Sequence, residues 1–192
     1  MKMVSILICI VLALTSLSGE ALAQEFYLGI KFGLSAQTSK FEGEDIDYNV
    51  DTRTLYGFRL GLGTERAALE VSYHQADHFL EAKTEVEEGL ERLKLNFNWT
   101  GLNLLVFLPV PVVEPFFSAG YGTYGIRLGD QDKDRSWGWN LGLGAAARLG
   151  SSLSIGIEGR YHKVKFTLDE RSLDLSDWSG NISLNFHFDF MD

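Results

Sequence analysis

The feature that most restricts this chain is a strict two-residue alternation that returns along almost its whole length. Phe26, Leu28, Ile30, Phe32 and Leu34 alternate with Tyr27, Gly29, Lys31, Gly33 and Ser35. The last segment sets Ile182, Leu184, Phe186, Phe188 and Phe190 against Ser183, Asn185, His187 and Asp189. Successive side chains of a β-strand point to opposite faces, so each segment reads as a strand with one dry and one wet face. Further examples begin at Tyr56, Leu69, Leu93, Phe117, Trp137 and Leu153, which brings the total to about eight. In the segment from Leu93, the apolar face holds Leu95, Phe97 and Trp99, opposite Lys94, Asn96 and Asn98. Its phase then slips so that Leu102, Leu104 and Val106 continue the apolar face, and one extra residue at Gly101 predicts a β-bulge.

Alternation alone does not say which face looks inward. The polar face is crowded with glycine (Gly29, Gly33, Gly57, Gly61, Gly120, Gly122, Gly142, Gly144, Gly156), which offers nothing to a solvent-facing strand. Inside an eight-stranded barrel the same glycines make room for Lys, Arg and Tyr across the lumen. On the apolar face, Tyr73, Trp99, Trp137, Trp139, Tyr161 and Trp178 gather toward strand ends, where the aromatic girdle of a membrane barrel lies. The connections alternate too: short ones at 63–66, 109–115 and 150–152, longer polar ones at 36–53, 75–92, 127–136 and 163–177. These features predict a closed antiparallel up-and-down transmembrane β-barrel, all-β, with the Phe face toward lipid, short periplasmic turns and longer extracellular loops.

Residues 1–23 have the form of a secretory signal: Lys2, an apolar run from Met3 to Leu14, and Ala21-Leu22-Ala23 at the end. The run is too short to span a membrane as a helix, and cleavage after Ala23 would leave 24–192 as a single barrel domain. Cys9 lies within that leader, so the remainder holds no cysteine for a disulfide or a thiolate site. The net charge of −9 argues against nucleic acid as a partner, and the four long connections carry nearly all of it.

"LNLLVF", followed by "EPFFSAGYGTYG" and the closing "NISLNFHFDF", resembles the small eight-stranded outer-membrane β-barrel family of Gram-negative bacteria, the outer membrane protein A/X type. The likeness covers the whole chain after the leader. It implies residence in the cell outer membrane after export, a monomer, and contact with outer-membrane lipid and lipopolysaccharide. It also implies that Phe186, Phe188 and Phe190 form a C-terminal signal for the outer-membrane assembly machinery. Met191 and Asp192 follow that aromatic, a departure from the family pattern.

Charge on the lumen face marks the candidate site. Lys31, Arg59, Glu70, Glu158 and Arg160 fall in the middle of their strands, with Arg148 and Asp189 nearer the short turns. Buried ions demand partners, so a paired network plugging a narrow barrel is expected, with Arg59 and Glu70 at similar depth on neighbouring strands. No cofactor is implied. His74 and His78 share a face around Asp77 but show no third ligand, "DQDKD" at 130–134 lacks the rest of a calcium loop, and no metal site is assigned. Nor is a catalytic site: His162 with Asp169 or Ser172 is spacing alone. The expected role is a non-enzymatic structural or surface-interaction one in the envelope. A narrow porin-like conduit for small solutes and a lipid A-modifying enzyme are the alternatives.

Overall fold

A computed structural model describes residues 25–41, 51–80, 93–108, 110, 112–128, 134–168 and 171–189. The leader, Phe190, Asp169, most of "DQDKD" and the centres of the long connections lie outside the described residues. Eight strands follow in order: β1 (Glu25–Phe41), β2 (Asp51–Gly63), β3 (Ala67–Leu80), β4 (Leu93–Phe107), β5 (Glu114–Leu128), β6 (Asp134–Arg148), β7 (Leu153–Leu168) and β8 (Arg171–Asp189). Each pairs antiparallel with the next, and β1 closes on β8 in register Lys31↔Ser183 and Gly33↔Asn181. Closure pairs both edges of every strand and so removes the exposed edges of an open sheet.

The short turns are held locally. Thr64 accepts hydrogen bonds at its hydroxyl from the amides of Arg66 and Ala67, both at 3.3 Å, closing the β2–β3 turn. Between β6 and β7, Gly150 takes φ +102°, a left-handed conformation that costs glycine nothing.

In the half of the barrel toward the short turns, Leu28, Ile30, Phe58, Leu60, Leu141, Leu143, Ile157 and Ile182 all face outward and are exposed. Above them runs an aromatic belt across β5–β8: Tyr121 stacks on Trp137 with centroids 5.3 Å apart, Trp139 meets Tyr161 at 5.7 Å, and Tyr161 meets Trp178 at 4.8 Å. On the other side of the barrel Phe58 stacks on Tyr73 at 5.3 Å.

Beyond the belt the pattern inverts. Phe97, Trp99, Tyr124, Ile126, Val164, Phe166, Leu173 and Leu175 point into the lumen as one buried apolar cluster. Their neighbours Thr100, Arg127, Lys165 and Thr167 face outward and are exposed. No residue is inserted to achieve this. The β3–β4 and β4–β5 registers run unbroken through Gly101, from His74↔Trp99 to Val71↔Leu102 and from Trp99↔Tyr124 to Leu102↔Tyr121. The expected bulge is therefore absent. Trp99 belongs to the interior instead of the girdle, fully buried, while Asn96 and Asn98 turn outward. The physical reason is a change of medium along the strand. Where the outer wall meets apolar surroundings, apolar residues point out; where it meets water, they point in, and the strand carries both halves on one continuous pleat.

The same inversion shortens the connections. Polar composition marks 163–177 as a loop, yet β7 runs to Leu168 and β8 starts at Arg171, paired from Val164↔Leu175 to Leu168↔Arg171. β1 extends to Phe41, β3 to Leu80 and β5 to Leu128 in the same way.

Candidate functional site in the barrel lumen

The lumen is built in three layers. At the short-turn end Tyr27, Ala68, Leu105 and Phe116 pack together, with Phe107 and Ala146 against them. Two glycines make this layer fit: a Cβ at Gly61 would overlap the Tyr27 ring, and one at Gly144 would overlap the Phe116 ring. Glycine there is a space requirement rather than a turn requirement.

The middle layer brings together all five charged residues singled out from the sequence. Arg59 on β2 places Nε 2.9 Å from Glu70 Oε2 on β3, and its Nη1 lies 4.0 Å from Glu158 Oε2 on β7. Arg160 reaches Glu158 Oε1 at 2.5 Å and Glu70 Oε1 at 3.7 Å. Two guanidinium groups and two carboxylates thus alternate around a closed ring. Neutral donors complete it: Tyr27 donates to Glu70 Oε2 at 3.0 Å, Asn103 to Glu70 Oε1 at 3.0 Å, and Ser118 to Glu158 Oε1 at 2.9 Å. Lys31 stands apart from these pairs, with Nζ 5.7 Å from the centroid of the Trp99 ring. All five are buried, and for the four ring members mutual pairing offsets a desolvation cost of several kcal/mol per ion. Chemically the ring is closed: each charge is occupied by its neighbours.

Above the ring sit three residues that the sequence does not connect. His74 on β3, His162 on β7 and Asp177 on β8 are fully buried, and one potential ligand atom from each lies within 4.8 Å of the other two. His78 also points inward, but its Nε2 meets Ser35 Oγ at 3.1 Å. Ser35 donates its proton to Asp177 Oδ1. That order differs from a nucleophilic triad, in which histidine takes the serine proton. Ser172 occupies an outward position on β8, away from His162. The structure does not gather His74 and His78 around one point; it sets His74 beside His162 and Asp177, on strands distant in sequence that only register could bring together.

Near the short-turn rim, Arg148 reaches Glu25 at 2.6 Å, and His187 is hydrogen-bonded to the same carboxylate. A cleft of about 40 Å³ opens between these residues and Arg59. It has room for a water or two and ends at the charged ring. On the outer wall, Phe186 and Phe188 are exposed at this end.

The sequence matches the outer membrane protein beta-barrel domain over residues 9–190. The chain belongs to that family. It is a transmembrane barrel of the small eight-stranded type, like the outer membrane proteins A and X, and its lower, apolar outer wall is the lipid-facing surface. Among solved structures, Neisserial surface protein A superimposes with a TM-score of 0.66 at 10% identity, covering 85% of this chain and 97% of that one. The outer membrane protein OprG from Pseudomonas aeruginosa follows at 0.59 and 14%, covering 87% and 97%. At such identities these likenesses establish the fold alone. No curated protein matches the chain in sequence.

Proposed function

We propose that this outer-membrane barrel is a non-enzymatic envelope protein with a sealed lumen, acting through its lipid-facing wall and its loop end rather than as a conduit. The observation that carries this reading is the filling of the interior from rim to rim: apolar cluster, closed ion ring, apolar cluster. The cleft at the short-turn rim holds a water or two and is lined at its inner end by Arg59. Eight strands leave an interior that side chains just fill, whereas open diffusion pores use about sixteen. Export by the leader at 1–23 and residence in the outer membrane go with this reading, as does folding by the assembly machinery, to which Phe186 and Phe188 present an exposed aromatic face.

The partner on the outer side is lipopolysaccharide. Arg127 and Arg135 are exposed on β5 and β6 just beyond the Tyr121–Trp137 pair, at the level where an aromatic belt meets head groups. Two guanidinium groups there suit the phosphates of an anionic outer leaflet.

Planar-bilayer recording of protein refolded into detergent tests the sealed lumen. The expected trace stays at the background of the bare bilayer. Reproducible discrete conductance steps, abolished when refolded protein is replaced by heat-unfolded protein, would instead support the conduit. Mass analysis of lipid A from cells with and without the protein should show no change; an altered acyl chain count would support the enzyme.

A further inference from the structure

We infer that His74, His162 and Asp177 form a binding site for a divalent transition-metal ion inside the lumen, between the ion ring and the upper apolar cluster. Each of the three residues has a buried ligand atom without a hydrogen-bond partner, His74 Nε2, His162 Nε2 and Asp177 Oδ2, and one ligand atom from each lies within 4.8 Å of the other two. Leaving three polar atoms of three different strands buried and unpaired is costly, and their convergence on one point calls for an occupant.

The surrounding hydrogen bonds set these atoms up as ligands. Tyr124 donates its only hydroxyl proton to the carbonyl of Trp139 at 3.1 Å. Its oxygen, 2.9 Å from His162 Nδ1, must then accept from that nitrogen. A proton on Nδ1 leaves a bare lone pair on Nε2, the tautomer a metal needs, held by an outer partner as metal-bound histidines are. The carboxylate is prepared in the same way. Ser35 gives its proton to Asp177 Oδ1 and accepts from His78 Nε2, so the chain His78, Ser35, Asp177 orients the group and leaves Oδ2 free. Gln37, the cross-strand neighbour of Asp177, also has both amide atoms buried and unpartnered.

Ligand atoms of a four-coordinate zinc lie about 3.3 Å apart, from metal–ligand distances near 2.0–2.1 Å. The observed separations, within 4.8 Å, are wider than that range, so the three side chains must draw together on binding. Two imidazoles and a carboxylate, with no thiolate, suit a borderline divalent ion of the zinc or iron(II) type rather than calcium or magnesium. Lys31 and Arg160 rest their charges against the Trp99 ring, which lies 5.3 Å from the His74 ring and 5.5 Å from that of His162. The apolar cluster above shuts the site, so the ion is taken up as the barrel folds.

The test refolds the full barrel into detergent micelles with zinc, removes excess ion with a chelator, and measures retained metal, folding being read from heat-modifiable gel migration. One zinc per chain is expected. Refolding with cobalt(II) in place of zinc should give visible absorption bands of a low-symmetry site. His74→Gln, His162→Gln and Asp177→Asn should each lose both signals, while His187→Gln, at the rim, keeps them. Tyr124→Phe, which retains the ring, should weaken retention about 10–100-fold and shift the cobalt bands. Folded wild-type protein that retains no zinc and shows no cobalt bands would overturn the site, leaving an ordered water as its occupant. So would equal retention in the three ligand variants, which would place the metal on the acidic connections, or an unshifted cobalt spectrum in Tyr124→Phe.

Discussion

Arg160 holds its guanidinium carbon 5.6 Å from the ring centroid of Trp99. Lys31 uses the same ring from β1. This one indole therefore joins the charged layer to the apolar layer above it, covering two cations that water cannot reach. A cation over an aromatic face contributes about 2 kcal/mol or more when desolvated. Trp99 is thus part of the interior architecture, in contrast to Trp137, Trp139 and Trp178 on the outer wall.

Fluorescence separates the two kinds of tryptophan. In single-tryptophan variants reconstituted into vesicles of brominated lipid, Trp178, which is 63% exposed, should be strongly quenched and Trp99 should be nearly unaffected. Strong quenching of Trp99 would return it to the lipid face.

The ion ring predicts coupling. Glu70→Ala removes the nearer partner of Arg59 and one contact of Arg160, leaving the buried Arg59 guanidinium only its 4.0 Å contact to Glu158, a loss of about 3–5 kcal/mol in a urea titration of lipid-refolded protein. Arg59→Ala added to it should recover part of that loss. Strict additivity would mean that the two side chains do not interact.

Neighbouring positions on β6 should be penalised by charge for different reasons. Leu141 is 54% exposed on the lower outer wall, so Leu141→Arg should cost about 2–4 kcal/mol if it lies near the bilayer midplane. Asn140 is buried in the lumen beside His162, and Asn140→Arg should act by crowding and by repulsion from Arg160. Its penalty should shrink in Asn140→Ala, whereas that of Leu141→Arg should shrink in Leu141→Phe. Matching urea profiles for both arginine variants would show that the faces are misassigned.

Beyond the belt the sensitivity reverses. Phe166 is buried in the upper cluster and Thr167 faces outward, so Phe166→Ala should cost about 3–5 kcal/mol and Phe166→Asp more. Thr167→Asp should stay within about 0.5 kcal/mol. A tolerated Phe166→Asp would mean that this segment is the solvated loop its composition suggests.

The sequence by itself determined the alternation and the strand number, and the alternation together with the lumen glycines, the aromatic ends and the alternating connection lengths pointed to the closed barrel. It also determined that Lys31, Arg59, Glu70, Glu158 and Arg160 face inward, since glycine is useful opposite them only in a crowded lumen. What it left open was the medium on each side of the wall. Phe97 and Trp99 share a face with each other, yet a period of two cannot tell whether that face meets lipid or the lumen, and an environment that changes along the strand looks the same as a slipped register. For this reason Gly101 resembled a bulge, and the outward lysines and serines of 163–177 resembled a loop. The convergence of His74, His162 and Asp177 was equally hidden. Three residues on β3, β7 and β8 become neighbours only through strand register and barrel closure, long-range pairings that no local pattern encodes.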